Sequence, residues 1–485
     1  MNNNNKSRRS FIKNASVGAL SMAGLPLVSG CTGNSNFPWC SNPTFDGNHW
    51  WNQFNWRRVE QEVTAFNLPI EGDWPLQLAG TYMRNGANNK NGDSEHYFVG
   101  DGMVHGVTIE DGSALVYRNR WVNTTILGEN IAGGMFPDQN QSNTNVIYHG
   151  GKILSLNEAG YPYQLDEELA TIGTYRYDGK LKGPMTAHPK FDPVTGEMHF
   201  FGISPIFKPY LTYYVANAAG VITKAEPITL PGSSMMHDFQ ITRRHAIFMD
   251  LPIVFNLVKA TCNQFPYDWK PSYGARFGIM PRDGGDSDIK WFEVETCFVF
   301  HTLNAYENPN NLSEIIVEAT RTESIWETDT YDIDKEFFPY RWKFNLDTGV
   351  VTEDVIDDLT ADFGKINPNV QGTPQRYSYF MTMEPAPVAD AGSRFRGIRR
   401  YDYLANQMTE YIYPENLWPD EVSFVPNLQG TAEDDGWLVG YLYDSDLDSS
   451  YLVVLNAADI ESGPIARIAL PQRVPFGFHG TWVPA

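Results

Sequence analysis

Ten histidines are scattered through 485 residues, and four of them stand in surroundings that suit convergence on a buried point better than solvation. His188 lies in Met185-Thr186-Ala187-His188-Pro189-Lys190, and His237 in Ser233-Ser234-Met235-Met236-His237-Asp238-Phe239. His301 lies in Cys297-Phe298-Val299-Phe300-His301-Thr302, and His479 in Val474-Pro475-Phe476-Gly477-Phe478-His479-Gly480. A lone histidine in a β protein is ordinarily structural or exposed. Four with small, turn-forming or apolar neighbours are candidates for metal ligation, because a buried polar ring requires a partner. His96, His105 and His199 lack such settings and read as structural or surface residues.

Positioning these rings falls to a chain of short strands. Aromatic residues make up 14% of the sequence, beside 41 Gly and 31 Pro, a mixture that favours strands and turns over a helical bundle. Apolar or alternating runs recur between turn signals from about Leu68 onward. Val104–Ile109 runs into Glu110-Asp111-Gly112, and Val146–Leu156 is interrupted by His149-Gly150-Gly151. Met198–Ile203 follows Asp192-Pro193-Val194-Thr195-Gly196, and Trp437–Tyr443 follows Glu433-Asp434-Asp435-Gly436. Such hairpin signals span nearly the whole length, so the fold class is all-β, and a closed propeller is the economical architecture for about 440 residues without a linker. Lys259–Lys290 and Asn304–Glu323 read as long insertions, expected to cap one face.

Together with Gly80-Thr81-Tyr82-Met83-Arg84-Asn85-Gly86 and the stretch from Tyr97 to Gly106, the four histidine segments resemble the carotenoid cleavage oxygenase family from about Leu68 to Pro484. The resemblance implies a seven-bladed β-propeller with a helical and loop cap forming a substrate tunnel. It also implies an iron ion on the axis, held by His188, His237, His301 and His479. The spacing agrees: the four are separated by 49, 64 and 178 residues, or one, one and three blades of about 60 residues each. Four neutral imidazoles and no carboxylate on the metal leave octahedral Fe(II) with open positions for O2 and substrate. Zinc instead favours four-coordinate closure.

The far nitrogen of a metal-bound imidazole needs an acceptor, which the family supplies as glutamates. Glu158, in Leu156-Asn157-Glu158-Ala159-Gly160, and Glu421, in Asp420-Glu421-Val422-Ser423, match two of them. At the third position stands Asp362, in Asp362-Phe363-Gly364-Lys365, which reaches about 1.5 Å less far. A bridging water, a shifted strand or a different register would account for it. Thr144, in Asn143-Thr144-Asn145, matches a threonine whose methyl group blocks one open position at the iron.

The implied reaction is O2-dependent cleavage of an alkene double bond into two carbonyl products in a dry tunnel. Family substrates include carotenoids, apocarotenoids and hydroxylated stilbenes. Stilbene cleavers resemble one another in placing a lysine just before the glutamate that matches Glu158. Asn157 stands there, which favours an apolar polyene. Leu251–Val258 matches a region that forms a membrane-facing tunnel mouth. Three rivals are a stilbene or phenylpropanoid dioxygenase on the same fold, a non-catalytic propeller used as a binding scaffold, and an isomerase that consumes no O2.

Ser7-Arg8-Arg9-Ser10-Phe11-Ile12-Lys13 followed by an apolar run resembles a twin-arginine export signal. Val28-Ser29-Gly30-Cys31 resembles a lipobox, in which Cys31 is acylated and anchored at a membrane surface. The expected organisation is a leader over 1–31, a tether with the first surface loop over 32–58, and a single propeller domain over 59–485 outside the cytoplasm. Four cysteines are too few for a disulfide scaffold, and whether Cys262 and Cys297 pair stays open. A net charge of −22 argues against a nucleic-acid partner.

Overall fold

The computed structural model describes residues 49–485 apart from Glu95, Asn130, Ala132, Met135, Asn263, 328–334 and 386–392. The leader, Cys31, Cys40 and the first part of the expected tether lie outside the described residues. The described chain forms seven antiparallel blades. Blades 1 to 5 follow one another in sequence. Their first and last strands are Asn145–His149 and Thr171–Thr174, Lys190–Phe191 and Ile222–Ile228, Phe239–Ile241 and Lys290–Val294, Thr302–Asn308 and Val351–Val355, then Ala361–Lys365 and Gln407–Ile412. Blade 6 runs from Leu417–Pro426 to Pro464–Ala469 and takes Ile70–Gly72 on its outer edge. Blade 7 comprises Gly80–Ala87, Gly102–Glu110 and Ser113–Trp121, with Thr64–Leu68 outside and the C-terminal Gly480–Pro484 inside. Strands from both ends of the chain therefore complete the last two blades and close the ring.

Local sequence explains the hairpins. Asp111-Gly112 and Gly150-Gly151 take positive φ at both residues, as a type I′ turn requires. In the blade 2 hairpin the Asp192 carboxylate accepts from the backbone N–H of Val194 (2.8 Å) and Thr195 (3.3 Å), and Gly196 supplies a left-handed φ of 69°. An outer strand such as Ile222–Ile228 alternates between buried and open positions, whereas the second strand Met198–Ile203 is buried throughout because blades cover both its faces.

Seven clusters of the core lie between blades, and two smaller ones lie under residues 50–59. Each neighbouring pair of blades shares its own apolar cluster, such as Ile247, Phe277 and Ile279 of blade 3 with Val317, Trp342 and Phe344 of blade 4. Tyr82, Val107 and Tyr117 of blade 7 likewise meet Val439, Tyr441 and Leu452 of blade 6, and the other five interfaces follow the same plan. Each fully buried side chain contributes roughly 1.5–3 kcal/mol, so blade-to-blade packing holds the ring. The inner strands of blades 3, 4, 5, 6, 7 and 1 touch one another in turn.

Three expectations are corrected. Asn304–Glu323 is no insertion: it is the blade 4 hairpin of Thr302–Asn308 and Asn311–Arg321, whose polar turn hides ordinary strands. Of Lys259–Lys290, only the part up to about Trp269 leaves the ring, and Ala275–Pro281 is a blade 3 strand. That excursion pairs Ile253–Phe255 with Tyr267–Trp269 around the short helix Leu257–Thr261, capped by the Asn256 side chain. Nor do residues 49–58 read as a loose tether. Trp51 and Trp56 are buried, and Trp56 packs on Phe476 and Trp418 with ring centroids 5.0 and 6.1 Å away. Cys262 is disulfide-bonded while Cys297 is a free, buried thiol, so the two do not pair with each other. No helix among the described residues is long and apolar enough to cross a membrane.

Candidate metal centre

Each blade contributes one polar residue from its innermost strand or from the one or two residues just before it. In ring order these are Thr144, His188, His237, His301, Asp362, Glu421 and His479. Glu158 joins them from the turn after Lys152–Leu156 of blade 1. The 178 residues from His301 to His479 thus span blade 4 and then blades 5 and 6, which present the carboxylates Asp362 and Glu421 in place of imidazoles.

His188, His237, His301 and His479 come together, each offering a ring nitrogen within 4.8 Å of the others. That span is close to the roughly 4.2 Å between ligands on opposite sides of an ion with bonds of about 2.1 Å. Three rings are held from behind. His237 Nδ1 is 3.0 Å from Glu158 Oε2, His301 Nδ1 is 3.0 Å from Asp362 Oδ2, and His479 Nδ1 is 2.9 Å from Glu421 Oε1. With Nδ1–H donating to a carboxylate, each Nε2 lone pair is free to coordinate. His188 lacks a carboxylate, and its buried Nε2 has no hydrogen-bond partner. Four imidazoles, three of them oriented by carboxylates and one with an orphaned nitrogen, fit a divalent transition metal.

Electrostatics follow from burial and these partners. Burial and the neighbouring imidazoles hold His188 well below the usual histidine range. Burial, against the pull of Glu421, brings His479 down to about 4. At His237 burial lowers the pKa, but Glu158 outweighs it and the net direction is upward. Burial also disfavours the Asp362 and Glu421 carboxylates, yet His301 and Thr320 lower the first, and Lys365 and His479 bring the second down to about 2.

Asp362 reaches His301 directly. The strand bulges between Asp362 and Lys365, and Phe363 adopts a φ of 55°. A bulge inserts a residue and re-aims the side chains around it. Similar irregularities fall between Pro419 and Val422 beside Glu421, and between Thr302 and Asn304 beside His301. At blade 7, Gly86 and Gly477 let two backbones cross; a Cβ on Gly86 would lie 2.6 Å from the Gly477 Cα. There His479 N–H donates to Thr144 C=O (3.1 Å), which sets Thr144 beside the metal site.

The approach to the rings is aromatic. Phe300 lies edge-on to His237 at 5.1 Å, and Phe363 lies 4.4 Å from His301. Phe98, from the loop before Gly102, contacts Phe265 of the blade 3 excursion, Trp326, Phe300 and Phe478. The cap therefore consists of several loops meeting in one apolar cluster.

Histidines set aside on sequence are placed elsewhere. His96 stacks on Phe265 (4.7 Å), and His105 Nδ1 lies 2.9 Å from the Tyr117 hydroxyl. His199 is grouped with Asp192 and Glu197 in an arrangement that could suggest a metal, but the Arg282 guanidinium occupies it, 2.7 Å from both Asp192 and His199. Sequence reading missed Lys365, whose ammonium donates to Glu421 Oε1 (2.6 Å), and Asp238, which joins Lys190 to Thr302. Adjacency to the ligand motifs was the available signal.

Comparison with known proteins yields relatives along most of the chain. A family model described as retinal pigment epithelial membrane protein matches residues 56–484. A carotenoid cleavage oxygenase of Mycobacterium tuberculosis is 36% identical over 88% of this chain and 96% of its own. The crystal structure of Pseudomonas brassicacearum lignostilbene dioxygenase superposes with a TM-score of 0.82 at 25% identity, over 90% of this chain and 99% of that one. A variant of Synechocystis apocarotenoid oxygenase gives 0.80 at 27% identity, over 92% and 100%.

Proposed function

This chain belongs to the retinal pigment epithelial membrane protein family, that of the carotenoid cleavage oxygenases, and from that premise we propose that it is a ferrous dioxygenase. Its substrate is an apolar polyene of the carotenoid or apocarotenoid kind, whose C=C bond is split with O2 into two carbonyl products. The observation that carries this reading is the convergence of four imidazoles, one with a buried, partnerless Nε2. His188, His237, His301 and His479 would hold the ion. Bound there, ferrous iron supplies the O2 chemistry that side chains lack.

The chain's own residues do the rest. Glu158, Asp362 and Glu421 fix the ring planes and keep the imidazoles in the ligating tautomer. Thr144 narrows the space beside His479, in keeping with one accessible position for O2. Phe98, Phe300, Phe363 and Phe478 offer a hydrocarbon large contact area and keep water out. No acid or base is required.

A hydroxystilbene is the second reading, favoured by the likeness to the lignostilbene enzyme. Against it, the Asn157 side chain is spent inside the protein. It donates to Asn143 Oδ1 (2.9 Å) and accepts from Ala159 N–H (2.9 Å), so both ends of the amide are already engaged within the protein, and it carries no charge to hold a phenolate. Incubating iron-loaded protein with an apocarotenal and a hydroxystilbene, with products identified by mass spectrometry, separates the two. Two carbonyl fragments from the polyene and matching O2 uptake are expected. Cleavage of the stilbene alone overturns the substrate, and turnover without O2 uptake indicates an isomerase. Absence of stoichiometric iron leaves a binding scaffold.

Export by the twin-arginine route and acylation at Cys31 belong to the same reading. A polyene dissolves in a bilayer, and Leu257 and Val258 stand more than half exposed on the blade 3 excursion, suited to a membrane surface. A disulfide at Cys262 accords with an oxidising compartment. Replacing Arg8 and Arg9 by lysine should trap the protein in the cytoplasm, and undiminished export would refute this route.

A further inference from the structure

The three carboxylates behind the imidazoles carry different loads. The Glu158 side chain is 26% exposed, and its partner is His237. Asp362 divides its oxygens between His301 and the neutral hydroxyl of Thr320. Glu421 is completely buried, and one oxygen, Oε1, receives both His479 Nδ1 at 2.9 Å and the Lys365 ammonium at 2.6 Å. Its other oxygen accepts from Gly480 N–H at 2.9 Å.

The bulge explains how a lysine arrives there. Asp362 pairs with Met381 and Lys365 with Tyr379, so three steps along one strand match two along the other. Asp362 and Lys365 consequently face the same side, which a regular strand would forbid. Lys190 is also near the axis, but its charge is cancelled by Asp238 at 2.8 Å.

Three carboxylates and one ammonium leave two negative charges around neutral imidazoles, the charge that a ferrous ion cancels. A ferric ion would leave one positive charge in excess on a buried axis, where net charge is costly. Without the ammonium the balance reverses, and the ferric state becomes the neutral one. The Glu421–His479 bond would also strengthen, since an unshared carboxylate makes the imidazole a better donor to the metal, which favours the higher oxidation state.

We propose that Lys365 is a positioning residue that keeps the centre ferrous, acting through Glu421 and His479. This rests on the iron reading above. The event it opposes is loss of one electron from the ferrous ion to O2, giving ferric ion and superoxide; Lys365 itself exchanges neither proton nor electron.

The test uses the iron-loaded protein and Lys365→Gln, Lys365→Met and Lys365→Arg. It measures iron content, midpoint potential and growth of the ferric electron paramagnetic resonance signal in air without substrate. Removing the charge should shift the ferrous–ferric equilibrium toward ferric by about tenfold or more, about 59 mV for a one-electron couple, and speed oxidation in air. Lys365→Arg should keep the parent potential. Full iron content with an unshifted potential in the Gln and Met variants overturns the proposal, as does an Arg variant that shifts as they do. If neither uncharged variant folds, the Arg variant decides. Failure of the underlying iron reading looks different, because the parent protein would then take up no iron.

Discussion

Asp238 is next to His237, and its substitution should damage the metal centre from outside it. The carboxylate is 1% exposed and accepts from Lys190 Nζ at 2.8 Å, Thr302 N–H at 2.8 Å and Thr302 Oγ1 at 2.7 Å. Lys190, Asp238 and Thr302 each lie within two residues of His188, His237 and His301, so one side chain ties three ligand-bearing strands together. Asp238→Ala strands a lysine whose side chain is only 14% exposed and an inward amide. Breaking one side of a buried pair costs about 3–5 kcal/mol, and an orphaned N–H adds about 1–3 kcal/mol. A destabilisation of about 4 kcal/mol or more is expected in urea denaturation of the metal-free protein. Fe(II) affinity, read by competition with a chromogenic chelator, should fall by about 10–100-fold, as for loss of an orienting partner. Adding Lys190→Met to Asp238→Ala should recover part of the stability, because the unpaired charge is gone. Unchanged denaturation midpoint and unchanged Fe(II) affinity in Asp238→Ala would refute the clamp.

Two more substitutions probe packing, and a third probes a buried ion pair. Asp362→Glu, which lengthens the side chain by one methylene, should not improve the site: Asp362 Oδ2 already lies 3.0 Å from His301 Nδ1, so the added methylene overpacks a buried position by about 1–3 kcal/mol. Urea denaturation and chelator competition measure this, and a tighter, more stable variant would show the aspartate to be too short. Trp56→Ala should cost the segment 49–58 about 3–5 kcal/mol of packing and make it the first site of limited proteolysis, with iron content kept; an unaltered cleavage pattern counts against its docking. Burial raises the Glu307 carboxyl, but His245 and Thr242 outweigh it and hold it below its ordinary value. A depressed folded pKa gives stability above about pH 4.3 that is lost as pH falls through the folded value. The deficit of Glu307→Gln should therefore be present near neutrality and vanish in acid, and a pH-independent deficit would exclude this origin.

Much of the frame was readable before any coordinates. Asp-Gly and Gly-Gly pairs between apolar runs dictate hairpins through backbone sterics alone, and turns of that kind need no tertiary context. The histidine motifs stood out because small and aromatic neighbours mark buried, tightly turned backbone, and their spacing fits whole blades. What stayed hidden depends on partners far away in the chain. Asn304–Glu323 looks like a loop because Glu307, Glu314, Glu318 and Arg321 are charged; in the fold Glu318 is buried against Arg341 and Gln375, a pairing only neighbouring strands supply. Residues 49–58 lack periodicity, and Trp56 finds its cover on Trp418 and Phe476, more than 360 residues away in sequence.

The deeper limit is parity. Period-two reading assigns Asp362 and Lys365 to opposite faces, and that assumption fails at a bulge, for which Gly364 between them is the one sequence signal. Phe363 takes a left-handed φ of 55° without being glycine, a conformation costing a bulky residue roughly 1–2 kcal/mol. Its ring is held 4.4 Å from His301, 5.2 Å from His479 and 5.1 Å from Phe395, and these contacts offset the strain. The same distortion seats the shorter carboxylate on His301 and swings Lys365 onto Glu421. One irregular residue thus links two of the three imidazole–carboxylate pairs, so the acidic residue at position 362 and the cation at 365 are best understood as parts of a single local solution.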